Sequence, residues 1–199
     1  MKSLTKIFAG ISTAVLLCIS GAILLTSFWF LSTQNHLMSL KEDVEMQKSQ
    51  IETTLQRRSD LIPNFVATVK GYAAHEEKIY TEIADARYKL TGSIETGNIE
   101  SMIEANDALN SSISKLLAIS ENYPELKSSE QFIALQDELA GTENRIAVAR
   151  QYYNEKVKTY NTAVQRFPTS IVAKNKGYST LQYFEADENS KTVPEINFN

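Results

Sequence analysis

Glycine and proline are scarce, at 7 and 4 in 199 residues. That is about half the usual share of roughly 12% for the pair. Turns must be few and elements long, which argues against a many-stranded sandwich or barrel. A single cysteine excludes an internal disulfide framework and a cysteine-based metal site. Two histidines, His36 and His75, exclude a three-histidine zinc site. A basic surplus is also missing. The net charge is −4, which argues against nonspecific nucleic-acid binding. No two glycines stand in G-x-G spacing, and no G-x-S-x-G elbow occurs. His75-Glu76-Glu77 begins like H-E-x-x-H, but the second histidine is replaced by Ile79. A surface helical histidine is the simpler account of His75. Neither a catalytic constellation nor a cofactor is expected.

Charge is absent over residues 7–40 apart from a possible His36, and all 24 acidic residues follow position 41. Within this gap Ile7 to Leu31 reads IFAGISTAVLLCISGAILLTSFWFL. A helix of 25 residues reaches about 37 Å, and a bilayer core is about 30 Å thick. Phe28, Trp29 and Phe30 close the stretch where an aromatic belt belongs. A cleaved signal peptide would have a shorter apolar region and a small-x-small site, which are lacking. Cys18 as a lipoprotein site would need small residues before it, and Leu16 and Leu17 stand there. The expectation is a retained single transmembrane helix after a flank of residues 1–6. Lys2 and Lys6 before the span favour a cytoplasmic N-terminus and an extracytoplasmic domain, with the opposite topology left open.

Beyond the span, apolar residues recur at alternating intervals of three and four, the stripe of a packed helix. The first stripe runs Leu37, Leu40, Val44, Gln47, Ile51, Leu55. The second runs Ile62, Phe65, Val69, Tyr72, Glu76, Ile79, Ile83, Ala86, Leu90. The third is Ile99, Met102, Asn106, Leu109, Ile113, Leu116, Ser120. The fourth is Phe132, Leu135, Leu139, Thr142, Ile146, Ala149, Tyr153, Val157, Tyr160, Val164, Phe167. Asp60 with Pro63, Gly92 with Gly97, Asn98, Pro124, Ser128 with Gln131, and Pro168 supply the punctuation. The expected helices are 33–59, 61–91, 98–122 and 129–167. The expected fold is all-α: one transmembrane helix followed by a long antiparallel four-helix bundle over 33–167. Asp60–Pro63 reads as a reversal. The alternative is a kink that fuses the first two helices into a rod of about 85 Å. The tail, 168–199, should form a short helix or turn ending at Gly177 and then an extended segment. Its aromatics Tyr178, Tyr183, Phe184 and Phe198 would dock on the bundle, and the alternative is a disordered end.

At the second stripe the motif QRRSDLIPNFVATVKGYAAHE, Gln56 to Glu76, resembles the signature of the LemA family. ADAR (Ala84–Arg87), YNTAVQRFPTSIVA (Tyr160–Ala173), YFEA (Tyr183–Ala186) and a late VPEINF resemble its later motifs. The resemblance covers residues 7 to 198. It implies a bacterial protein with one N-terminal membrane helix and a helical-bundle domain, and it implies no reaction. It also implies a short N-terminus outside the cell, opposite to the charge reading. Some members are linked to the making of bacterial membrane compartments. The family often carries a tryptophan before the signature, and Met46–Gln50 has none.

Two groups of residues are candidates for function. Arg57, Arg58, Asp60, Asn64, Lys70 and Arg87 are the charged and polar members of the family-like motifs and suit a phosphate or a partner's carboxylate. The local alternative is an Arg57–Asp60 pair or cap. Glu76, Asn106 and Thr142 fall on the apolar stripes and form an expected buried polar layer that fixes helix register, or a ligand site. A small-polar stripe, Asn64, Thr68, Gly71 and His75, suits an oligomer contact or close packing within the bundle. The expected function is a non-enzymatic, membrane-anchored bundle that self-associates, binds another membrane or envelope protein, or organises the membrane. A sensory module that takes a ligand near Glu76 and Asn106 is the alternative. Its partners are then the membrane and a second copy of the chain, and not nucleic acid.

Overall fold

The computed structural model describes residues 2–184, with side chains from Leu16 onward. The expectations for Phe198, VPEINF and the end of YFEA lie outside the described residues. Among the described residues six helices follow one another: α1 (Lys2–Lys70), α2 (Glu77–Thr96), α3 (Ile99–Ser120), α4 (Pro124–Lys127), α5 (Glu130–Gln165) and α6 (Thr169–Lys176). Among the described residues no strand occurs, and the all-α class holds.

The first two expected helices are one. α1 runs 69 residues without interruption, with Pro63 inside it. The reversal expected at Asp60–Pro63 is therefore corrected, and the bonding around Ser59 gives the reason. A proline within a helix removes the N–H that would bond the carbonyl four residues earlier. For Pro63 that carbonyl belongs to Ser59, which is fully buried. Arg87 of α2 donates its Nε–H to this oxygen at 2.9 Å. The Ser59 hydroxyl lies 3.2 Å from that of Thr91, one turn further along α2. The acceptor freed by the proline is thus satisfied from a neighbouring helix, and α1 continues.

The chain turns instead at residues 71–76. Tyr72 and Ala73 donate backbone N–H groups to Val69 there, and the Tyr80 hydroxyl closes the turn on the Ala73 carbonyl at 2.7 Å. α2 then passes through Gly92 and ends at Gly97, which adopts the left-handed conformation at φ 64°. That conformation is the ordinary use of glycine after a helix end. Asn98 caps α3 as expected, its Oδ1 accepting the Ser101 N–H at 2.9 Å. The capping box expected at Ser128 does not form. Ser128 ends α4, with its hydroxyl donating to the Glu125 carbonyl. α6 closes on Gly177, also left-handed, at φ 74°.

The chain forms two compact units. One consists of 16–44 with Lys158–Leu181. Leu37 and Val44 of α1, Tyr160 and Val164 of α5, and Val172 and Ala173 of α6 make its core. Asn161 holds the extended segment after α6: its Oδ1 accepts the Leu181 N–H at 2.8 Å and its Nδ2 donates to the Leu181 carbonyl at 2.9 Å. Along residues 16–31 the apolar side chains are open to the surroundings, from Leu16 and Leu17 to Phe28 and Leu31. By length and composition the helix from Leu16 onward is long and apolar enough to cross a membrane. The Ser20 and Thr26 hydroxyls are satisfied within the helix, Ser20 on the Leu17 carbonyl and Thr26 on that of Ala22. A span in hydrocarbon requires this of every polar group.

The other unit consists of Glu45–Val157 with 182–184. Here α1, α2, α3 and α5 bury the expected stripes: Ile51, Leu55, Ile62, Phe65 and Val69; Ile79, Ile83 and Leu90; Met102, Leu109 and Leu116; Phe132, Ile146 and Val157. Phe65 and Phe132 stack with centroids 5.6 Å apart. Ser59 stands by Thr91 and Lys70 by Tyr80, so α1 and α2 run antiparallel; Arg58 meets Glu143 and Phe65 meets Phe132, so α1 and α5 do as well. The extended segment is held again: Asn154 Oδ1 accepts the Phe184 N–H and its Nδ2 donates to the Phe184 carbonyl, both at 2.8 Å. Tyr153 donates to the Gln182 carbonyl at 3.0 Å, and burial raises its phenol to about 12, with Glu45 adding to the shift. Phe184 itself is buried, while Tyr183 stays exposed.

Losing the Arg87 donor should orphan a buried carbonyl, at a cost of about 1–3 kcal/mol. Arg87→Met should therefore lower the melting temperature of the detergent-extracted protein in far-UV circular dichroism. Pro63→Ala restores the missing N–H, so Arg87→Met should be milder in that background. A double-mutant cycle should show coupling of about 1 kcal/mol. Strict additivity would contradict the assignment.

Candidate functional site: an interior arginine cluster

The structure disperses the six candidates from the family-like motifs. Asp60 is exposed and accepts the Gln56 side-chain amide at 2.8 Å. The expected Arg57–Asp60 contact is replaced: Arg57 points across to Glu138 of α5 at 2.7 Å, which Arg145 shares at 3.1 Å. Such exposed pairs contribute about 0–1 kcal/mol. Asn64 is exposed and lines a shallow cleft with Thr68, Gln131 and Leu135. Two members of the small-polar stripe thus face the start of α5, while Gly71 and His75 lie exposed in the turn. Lys70 places its ammonium 5.8 Å from the Tyr80 ring centroid. Arg87 is committed to Ser59. Arg58 alone of the six is buried, at 4% exposure.

Around Arg58 the bundle interior turns polar. Its guanidinium donates to Asn106, at 3.3 Å, and to Asn110, both of α3, and forms an ion pair with Glu143 of α5. Arg150 of α5 stands close, with Nη2 at 4.0 Å from Asp107 of α3. Burial, then the nearby Arg150 charge, pushes Arg58 down to about 10, while Asp107 opposes the shift. Burial lowers Arg150 as well, again opposed by Asp107. Arg150 also lies over the Phe184 ring, 4.5 Å from its centroid, tying the cluster to the extended segment. Four shielded nitrogens carry no hydrogen bond: Arg58 Nε, Asn106 Nδ2, and Nε and Nη2 of Arg150. The interior is rich in donors and short of acceptors.

The expected polar layer is therefore partly redrawn. Asn106 and Thr142 are fully buried. Asn106 joins the arginine cluster, whereas Thr142 bonds its own helix at the Leu139 carbonyl, 2.7 Å away. Glu76 does not join them. It stands half-buried at the start of α2 and accepts the Tyr123 hydroxyl at 3.4 Å. Arg150, Glu143, Asp107 and Asn110 escape a reading of the stripes because each sits beside a stripe rather than on it. The one signal in the sequence is charge at positions flanking small or polar stripe residues. Among the described residues no cluster of three or more metal-ligating side chains occurs. The arrangement offers N–H donors to an acceptor. It brings no nucleophile and base together.

Removing Arg58 strips the buried Asn106, the half-buried Asn110 and Glu143 of their donor. Loss of one member of a buried pair costs about 3–5 kcal/mol. Glu143 retains 39% of its side-chain exposure and recovers part of this from water. Arg58→Met should therefore lower the melting temperature by roughly 5–10 °C. Glu143→Gln, which keeps an acceptor, should cost less than about 1 kcal/mol. Equal effects from the two substitutions would contradict the assignment of Arg58 as the centre of the cluster.

Comparison with known proteins points in one direction. The LemA family model matches residues 47–198. Magnetosome protein MamQ of Magnetospirillum gryphiswaldense is 27% identical over 173 residues, covering 75% of this chain and 64% of that protein. Magnetosome protein MamQ 2 of Paramagnetospirillum magneticum is 26% identical over 176 residues, with 76% and 64% covered. Protein LemA of Metamycoplasma hominis is 24% identical over 161 residues, covering 81% of this chain and 73% of that one. The chain thus spans just under two thirds of the length of the two magnetosome proteins. The matched region takes in α2 to α6 and the part of α1 that bears Arg58 and Pro63, so the chain belongs to the LemA family.

Proposed function

We propose that the protein is a membrane-anchored, non-enzymatic helical bundle that acts by association, as a self-associating scaffold or an organiser of partner proteins and of the adjacent membrane. The observation that carries this reading is α1: the apolar stretch and the first helix of the bundle are one uninterrupted helix. No loop interrupts the helix between the apolar stretch and the residues that follow it. The likeness to proteins named for the magnetosome supports the same reading. The charge pattern around the span supports an inner-membrane location with the bundle outside the cytoplasm.

The detergent-extracted full-length protein should have the mass of a uniform oligomer, and crosslinking in native membranes should capture that oligomer or a discrete partner. Monomers alone, with no partner captured, would count against the scaffold.

A second reading is favoured by the interior donors. Arg58, Asn106 and Arg150 together suit a small oxyanion, whose binding would tighten the packing of α1, α3 and α5. Millimolar phosphate or sulfate should then raise the melting temperature of wild-type protein and not that of Arg58→Met. No shift in the wild type beyond that produced by chloride at equal ionic strength would remove this reading.

A further inference from the structure

We propose that the corner between α5 and α6 is a second, interfacial contact with the bilayer, a foot that rests on anionic lipid headgroups beside the α1 span. The inference rests on the membrane-anchored reading above and extends it to a particular surface. The corner belongs to the same compact unit as residues 16–44. Lys176, at the end of α6, places Nζ 5.8 Å from the Phe30 ring centroid. Phe30 is the last aromatic of the apolar stretch, where an interfacial belt is expected. α6 therefore lies at the height where hydrocarbon gives way to headgroups.

The outward face of the corner has the composition such a position selects. Phe167 is 76% exposed and Ile171 is 55% exposed, four residues apart, while Val172 and Ala173 face inward and are buried. Two large apolar side chains turned away from the core need a cover. Arg166, Lys174 and Lys176 stand within a few residues of them in the chain, all exposed. Between Glu155 and Glu185 the chain contains no acidic residue, and Lys156 and Lys158 add to the positive charge. On α1 the first acids, Glu42 and Asp43, stand twelve and thirteen residues past Phe30. At the helical rise they lie about 18–20 Å from it along the axis. Overall the protein is acidic. This corner is basic, and it adjoins the span. Apolar side chains flanked by lysine and arginine are the pattern of a surface seated in an anionic interface. The long lysines can carry their charge to the phosphates while their stems lie on apolar ground.

The test uses the full chain with its one tryptophan moved to the corner: Trp29→Phe combined with Phe167→Trp. It is reconstituted into vesicles of phosphatidylcholine, with or without phosphatidylglycerol, and with brominated acyl chains as quencher. Flotation of the vesicles reports the anchor separately. Emission from the relocated indole should be blue-shifted and quenched, with quenching about twofold stronger when phosphatidylglycerol is present. Lys174→Glu with Lys176→Glu should abolish that difference and leave far-UV circular dichroism unchanged, since both lysines are exposed. Protein that fails to float overturns the anchor and this inference with it. Protein that floats with the indole unquenched in both lipids overturns the foot alone. A blue shift without bromolipid quenching overturns it in favour of a protein contact. Quenching indifferent to phosphatidylglycerol and to charge reversal overturns the headgroup assignment.

Discussion

A single carbonyl oxygen decides how this chain divides into helices. Pro63 leaves the oxygen of Ser59 without its helical donor, inside a core that admits no water to replace it. Arg87 supplies the donor from α2. With that bond in place α1 passes through the proline, and the chain reverses only after Lys70. The turn at 71–76 then sets where α2 begins. It also places the antiparallel pairing of Ser59 with Thr91 and of Lys70 with Tyr80. Two segments that resemble family motifs, one around Pro63 and one ending at Arg87, are thereby two halves of one hydrogen bond.

The same continuity of α1 delivers Arg58 to the bundle interior, one residue before Ser59. A buried arginine is costly unless its donors are met. Asn106, Asn110 and Glu143 meet most of them, and Arg150 with Asp107 extends the polar patch toward α5 and the extended segment. Ile51, Leu55, Phe65 and the facing leucines could pack in several registers on hydrophobic grounds alone. A polar patch with directional partners admits far fewer. Its surplus of donors distinguishes it from a purely structural layer and gives the ligand-responsive reading its basis.

Much of this is legible in the residues. The spacing of Leu109, Leu116, Phe132, Ile146 and Val157 identifies core faces that are indeed buried, and Asn98 and Gly177 mark the helix ends where they occur. Pattern and structure part where local rules meet a partner distant in sequence. Asp60 and Pro63 look like a helix start because nothing nearby in sequence can satisfy Ser59, and Arg87 lies 28 positions away. The true turn is hidden for the opposite reason. Phe65, Val69, Tyr72, Glu76, Ile79 and Ile83 keep helical spacing straight through it, although Tyr72 is exposed and Glu76 only half-buried. Ser128 has the spacing of a capping box, yet the four-residue α4 claims it first. Arg58 stands out through its motif. Its partners on α3 and α5 follow from packing, which no pattern within one helix encodes.

The continuity of α1 through Pro63 is the claim on which the rest depends, and a distance across that point tests it most directly. Thr53 and Ala67 are exposed on either side. In a Cys18→Ser background, nitroxides at positions 53 and 67 should report a narrow distribution centred near 21 Å, the rise of about 1.5 Å per residue over the interval. A reversal at 60–63 would set the two sites on adjacent helices, about 8–10 Å apart. A population at that short distance would contradict the account.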